Sequence, residues 1–328
     1  MTGALFANEE EKLRASLFEG QLDKKSCLTV GQGPKALEKL KAPGLKFLLR
    51  SFIHALKENE PSSFKAFFHK KTKVKNSIGE NILTPLNFRY KRPFDVSPFR
   101  IYALNTVDGN KDKLPCKEDG IQVTPIYGYH LQFGAWLQVM GQNDLARIYL
   151  AIASSKGQWK VVGLHVQQWT FAGHDFEHWT QKGLLEKTHR VRSHMYFDVA
   201  QKLLFGGDFI SFNIKPKLLE EVDLVLSKDD WIALAKEKLS EKNLVYLGTT
   251  LGRDGLGIVV RVKVAGLLSK DDFEKRCKAL GRSMTSLKWL LPKGGGLQCQ
   301  FLLAREDFDK EGIMGGQYFT FAELNSIP

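Results

Sequence analysis

Residues 121–172 read IQVTPIYGYHLQFGAWLQVMGQNDLARIYLAIASSKGQWKVVGLHVQQWTFA. Three alternating apolar runs, 121–140, 145–153 and 158–172, are separated only by Gly141-Gln142-Asn143-Asp144 and Ser154-Ser155-Lys156-Gly157. Both separators are rich in residues that tolerate tight turns, so the stretch predicts two consecutive antiparallel hairpins. A turn with an even number of residues pairs positions whose numbers sum to an odd value, so Met140 faces Leu145 and Ala153 faces Gln158. That register gathers Leu131, Phe133, Ala135, Leu137 and Val139 with Ala146, Ile148, Leu150 and Ile152, and then with Trp159, Val161, Gly163, His165, Gln167 and Trp169. The result is one nearly all-apolar face. The other face, with Gln132, Trp136, Gln138, Arg147, Tyr149, Lys160, Val162, Leu164 and Gln168, is mixed, and a slip of one residue exchanges the two.

An apolar sheet face needs a cover, and the chain supplies one upstream. Leu45, Leu48, Leu49, Phe52, Ile53 and Leu56, then Phe64, Phe67 and Phe68, recur at spacings of three and four, as one face of a helix or helix pair does. Helix, irregular chain and antiparallel sheet in that order, together with the Gly-x-Trp-x-Val-Val-Gly-Leu run at 157–164, resemble the nuclear-transport-factor-2-like superfamily, also called SnoaL-like. The resemblance spans about residues 40–175. It implies a cone of helices packed into a strongly bent sheet, with a ligand or partner bound in the cavity or at its rim, and dimers formed through the outer sheet face. The superfamily holds enzymes and non-catalytic binders alike, so the fold alone does not decide activity.

Catalytic relatives place a carboxylate, or a carboxylate with a histidine, on the inward sheet face, where an apolar cavity raises the carboxyl pKa. The face predicted here carries His165, with Tyr127 and Tyr129 at its wider end, and no Asp or Glu. The expectation is therefore a non-enzymatic binding protein, with Phe133, His165, Gln167 and Trp169 lining the cavity and a small apolar ligand or a protein as partner. The alternative is a lyase or isomerase with His165 as base, assisted by Tyr127 or Tyr129. No cofactor is expected.

Charge is unevenly spread along the chain. The formal net charge is +12, and residues 35–117 hold 18 Lys and Arg against 7 Asp and Glu, whereas residues from 191 onward hold 20 against 18. Two stretches concentrate the surplus: Lys70, Lys71, Lys73 and Lys75, then Arg89, Lys91 and Arg92 interleaved with Tyr90 and Phe94. Basic residues among aromatics suit an anionic polymer or surface. This is a third reading of the function.

Other features bound the answer. Gly173-His174-Asp175-Phe176-Glu177-His178 matches the His-x-x-Glu-His order of one class of zinc peptidases, with His174 and His178 as ligands, but a helix start with Asp175 and Glu177 complementing its dipole is the expectation. Four cysteines, Cys27, Cys116, Cys277 and Cys299, are widely spaced without a Cys-x-x-Cys pair, and buried free thiols are expected, with a Cys277–Cys299 bridge if the protein is exported. Residues 3–7 look like the tail of a secretory signal without its basic start, so the protein is cytoplasmic if Met1 is the true start and exported if an upstream signal has been lost. No apolar run reaches the roughly 18 residues a membrane-spanning helix needs.

The expected fold class is α+β: an N-terminal helical extension at 1–34, the superfamily domain at 35–175, a helical connector at 176–240 and a small α+β domain at 241–328. In the last, hairpin, helix and hairpin follow one another, with strand segments at 244–250, 258–264, 289–291 and 297–303, a helix at 270–280, and a final strand at 317–321.

Overall fold

The computed structural model describes residues 2–320 apart from 73, 108–111, 117–119, 143, 156, 216, 219, 221–227, 253–254, 267, 285–295 and 304–312, together with 323. The chain forms two compact units, Met1–His174 with Leu203–Lys215, and Asp175–Lys202 with Pro216–Pro328. The fold class is α+β, as expected.

In the first unit, helices α1 (Thr2–Leu17), α2 (Pro43–Glu58), α3 (Phe64–Phe67) and α4 (Ile78–Tyr90) accompany strands β1 (Ser26–Gln32), β2 (Asp95–Asn105), β3 (Leu114–Cys116), β4 (Ile121–Val123), β5 (Leu131–Met140), β6 (Leu145–Ser155), β7 (Gln158–Gln168) and β8 (Ile210–Phe212). The main sheet has the order β1-β2-β5-β6-β7 with every pair antiparallel, and β3-β4-β8 form a smaller one. The segment expected to be a helical extension thus contributes a sheet strand, β1.

Helix α2 buries Leu45, Leu48, Leu49, Phe52, Ala55 and Leu56 in the core, as their spacing predicts. Each fully buried large side chain there is worth roughly 1.5–3 kcal/mol. Phe52 meets Phe64 and Phe67 at ring-centre distances of 5.1 and 5.4 Å, which ties α3 to α2. At the far end, Asn59 takes a left-handed conformation and its N–H donates to the Ala55 carbonyl. Arg92 donates from Nη1 to the Lys57 carbonyl at 2.8 Å and from Nη2 to the Leu56 carbonyl at 2.7 Å. A cation on the last carbonyls satisfies acceptors that the helix leaves open and complements its dipole.

The first hairpin has the predicted register, Met140 opposite Leu145. The second does not. Strand β6 runs on through Ser154 and Ser155, so that Ser155 faces Gln158 and Ala153 faces Lys160 in place of Gln158. Ile152 still faces Val161, but Ala151 faces Gly163, which leaves Val162 as an extra residue. A bulge of one residue reverses the alternation beyond it. Trp159, Val161, Leu164 and Val166 therefore pack on the helix side with Phe133 and Leu150. Gly163, His165 and Gln167 share the opposite face with Ala151, Tyr149 and Arg147, their partners across the strands.

That opposite face is covered by residues 203–215. Phe209 lies on Tyr149 with ring centres 5.7 Å apart, Phe205 meets His165 edge-on at 5.5 Å, and Phe212 stacks on Trp136 at 6.1 Å. Gly163 makes room for the segment, since a Cβ there would stand 2.6 Å from the Phe209 ring. The mixed face of the sequence reading is thus an aromatic second core.

In the second unit, α5 (Phe176–Leu185), α6 (Arg190–Leu203) and α7 (Lys228–Leu239) precede β9 (Leu244–Gly252), β10 (Gly255–Val264), α8 (Lys270–Met284), β11 (Gly296–Leu303) and β12 (Ile313–Thr320). The sheet order is β12-β11-β10-β9, and β10 and β11 are parallel because α8 lies between them in the chain. The expected hairpin of 244–250 with 258–264 forms as β9 and β10, whereas the expected strand 297–303, within β11, pairs with β10 and β12. The predicted strand at 289–291 lies outside the described residues. Ser269 caps α8, its Oγ accepting from Asp272 N at 3.1 Å and donating to Asp272 Oδ2 at 2.6 Å. Strand β9 is an edge, and Asp198 and Lys202 of α6 engage it: Thr249 N donates to Asp198 Oδ2 and Lys202 Nζ donates to the Thr249 carbonyl, each at 2.6 Å.

The cysteines are paired, against the expectation of free thiols. Cys27 bonds Cys116, joining β1 to β3, and Cys277 bonds Cys299, joining α8 to β11. Closing the 89-residue separation between Cys27 and Cys116 constrains the unfolded chain, an effect of about 2–4 kcal/mol. The Cys277–Cys299 bridge is the one named for an exported protein, whereas Cys27 and Cys116 are too distant in sequence for spacing to reveal their pairing.

Candidate functional site

On the helix side of the main sheet, α1 packs Leu13 and Leu17 against the core. Arg14 anchors α1 there, donating from Nε to Asn105 Oδ1 at 2.8 Å, and Asn105 in turn donates to the Lys24 carbonyl at 2.8 Å. Beneath α1 run two adjoining hollows of about 230 and 410 Å³ that share Leu13, Lys41 and Ala42. The smaller is walled by Leu17, Leu28, Val30, Leu40 and Phe133. Trp159, edge-on to Phe133 at 5.3 Å, lies in the wall of the larger, beside Gly44. Together they form a cleft with apolar walls in the smaller hollow and a mixed lining, Ser16 and Ser154 included, in the larger.

Its polar groups sit at the rim. Lys12, Lys39 and Lys41 are exposed and line the cleft. Glu10 also lines it; burial raises its carboxyl pKa, while a hydrogen bond with Ser154 and the charges of His130 and Arg14 pull the other way. A groove with greasy walls and ammonium groups at its mouth is built to hold an apolar body and an anionic head.

Of the four residues expected to line a cavity, Phe133 does so. His165, Gln167 and Trp169 lie elsewhere, the first two sent to the other face by the Val162 bulge. His165 Nε2 donates to the Phe205 carbonyl at 3.1 Å, and Gln167 Nε2 donates to the Leu203 carbonyl at 2.6 Å, so both fasten the covering segment. Trp169 follows β7 and packs against Trp136 and Phe212. Tyr127 is 69% exposed in the turn before β5, and Tyr129 follows it, its pKa raised by burial. Neither tyrosine has a hydrogen bond or ring contact with His165 among the described residues. The side chains needed for the isomerase reading are not assembled.

The basic stretches are partly committed to structure. Arg92 caps α2 as described and also donates from Nε to Asn87 Oδ1 at 2.8 Å, with its guanidinium 5.0 Å from the centre of the Phe94 ring. Lys91 is exposed and Arg89 half-buried at the end of α4. Lys70 and Lys71 lie in a short 3-10 turn, Lys75 is exposed, and Lys73 falls outside the described residues. Arg92 is thus withdrawn from the polymer-binding set.

The histidine motif is a helix start. Asp175 is the N-cap of α5 and accepts from His178 N at 3.1 Å, while His174 precedes the helix in a bridge with Phe171. The two histidines are therefore not one helical turn apart within a helix. No group of three or more His, Cys, Asp or Glu suited to a metal ion occurs among the described residues. No helix among the described residues is long and apolar enough to cross a membrane.

Sequence reasoning missed Glu10, Leu13 and the lysines at 39 and 41 as site residues. The sequence predicts a helical N-terminal segment but does not say where it docks. In comparisons with known proteins, no family model, no curated protein and no solved structure matches this chain.

Proposed function

We propose that the first unit is a non-catalytic binding module for a small amphipathic anion, such as a medium-chain carboxylic acid, held in the cleft beneath α1. The observation that carries this reading is the pairing of apolar walls, Leu13, Leu17, Leu28 and Phe133, with a rim of Lys12, Lys39 and Lys41. A helix layer over the apolar sheet face, with the hollow between them, accords with the nuclear-transport-factor-2-like resemblance. The apolar chain supplies most of the affinity, at about 0.8 kcal/mol per buried CH₂, and the lysines orient it.

The test is a titration of the full chain with straight-chain carboxylates of increasing length, followed by Trp fluorescence and thermal midpoint. Affinity is expected to rise with chain length, to survive high salt, and to fall at least tenfold in Leu13→Asp. Equal response to all lengths, or none, overturns the reading. The two disulfides accord with maturation in an oxidising compartment. Thiol labelling of the unfolded, unreduced protein should find no free cysteine if so, and four if it matures reduced.

A further inference from the structure

The face of the main sheet away from the cleft holds a buried cation with no counter-ion among the described residues. Strand pairing sets Gln138, Arg147 and Gln167 side by side in one row across β5, β6 and β7. Arg147 is 7% exposed. Its guanidinium carbon lies 3.6 Å from the centre of the Phe99 ring and 3.3 Å from that of Trp169, with Trp136 at 5.3 Å. Two rings at such distances can only clasp the group on its opposite faces. They are brought there by a bulge at Phe99 in β2, which turns Phe99 and Arg100 toward the same side, and by the exit of β7.

Aromatic faces attract a cation, but they accept none of its hydrogens. Among the described residues Arg147 has no carboxylate within ion-pair distance and no hydrogen-bond acceptor, and its Nε is buried without a partner. Gln167 is 3% exposed; its Nε2 donates to the Leu203 carbonyl, and its buried Oε1 has no donor among the described residues. Burial pushes the Arg147 pKa down, to about 9, with the charge of Arg100 acting in the same direction and Tyr102 against it, so the group is still a cation at neutral pH. A buried charge ordinarily has a partner, and a donor-rich guanidinium beside an acceptor without a donor defines what that partner must offer.

We propose that Arg147 is the anchor of a second binding site, separate from the cleft, which takes the carboxylate of a small organic acid bearing a hydrogen-bond donor next to it. The carboxylate lies in the plane of the guanidinium and accepts two of its hydrogens, and the neighbouring hydroxyl or amine donates to Gln167 Oε1. Rings above and below the guanidinium confine the partner to that plane, which suits a flat carboxylate better than a tetrahedral phosphate or sulfate. Arg100, whose guanidinium is 5.3 Å from the centre of the same Phe99 ring, adds positive potential.

The probes are lactate, propionate, sulfate and phosphate at constant ionic strength, and the readout is the Arg147 Nε–H resonance of the full chain, assigned by its loss in Arg147→Lys. A saturable shift is expected with lactate, weaker with propionate by about the tenfold that one lost hydrogen bond to a buried acceptor implies. Arg147→Lys, which keeps the charge but not the two-pronged geometry, should bind lactate at least tenfold more weakly by calorimetry, with an unchanged near-ultraviolet dichroism spectrum. Gln167→Leu should abolish the preference for lactate over propionate while leaving propionate binding intact. No shift with either carboxylate, a stronger response to sulfate or phosphate, or undiminished lactate binding by a natively folded Arg147→Lys protein overturns the proposal.

Discussion

Both faces of the first unit's main sheet are buried, but by different means. On the helix side, Leu, Ile, Val and Phe from four helices and five strands interlock, and polar groups are kept to the rim of the cleft. On the other side, residues 203–215, which include β8, lie over Tyr149, Trp136 and His165. Helices satisfy their own backbones and need bring only apolar surface. An irregular segment must find partners for its carbonyls, so the face beneath it carries the Nε2 atoms of His165 and Gln167 that bond Phe205 and Leu203. Polar residues on an otherwise apolar strand can therefore mark the kind of cover and not a catalytic centre.

The contrast predicts unequal responses to mutation. Phe52→Ala, which empties the ring cluster with Phe64 and Phe67, should cost about 3–5 kcal/mol in urea unfolding. Gly163→Ala places a methyl against Phe209 and should cost about 1–3 kcal/mol, accompanied by faster amide exchange at Thr124, whose N–H is held by the Phe209 carbonyl at 2.7 Å. If Gly163→Ala destabilised the helix side as much as Phe52→Ala does, the two faces would not be the separate layers described here.

The smallest effect concerns pH. Glu10 has a raised pKa in the folded chain, so the folded state holds its proton more tightly than the unfolded state does. Its contribution therefore favours folding in acid and is lost as pH rises from the unfolded carboxyl value through the folded one. Glu10→Gln should remove that dependence and raise the thermal midpoint slightly at pH 7, an effect of roughly a few tenths of a kcal/mol once solvent screening is allowed for. It should also strengthen binding of an amphipathic anion at pH 7, by removing a like charge from the rim.

Much of the helix side was legible in the sequence. Leu45 to Leu56 keep a helical period, and the predicted turn between Met140 and Leu145 joins β5 to β6 in the expected register. The second hairpin was not legible, because Ser154 and Ser155 have turn chemistry yet pair within β6, and Val161-Val162-Gly163 reads as unbroken strand although Val162 is the bulge. That one residue moved His165 and Gln167 off the predicted cavity wall. The cage around Arg147 joins Phe99 of β2, Trp136 of β5 and Trp169 just beyond β7, and the cleft takes Glu10 and Leu13 from an N-terminal helix whose docking place no local pattern encodes.

The most direct test of where this protein binds is a nuclear Overhauser spectrum of the full chain with a bound medium-chain carboxylate. Cross-peaks from the ligand's chain to Trp159, Leu13 and Phe133, and none to His165 or Trp169, are the predicted result. Cross-peaks to His165 and Trp169 in their place would contradict both the assignment of the cleft and the sorting of the two faces on which it rests.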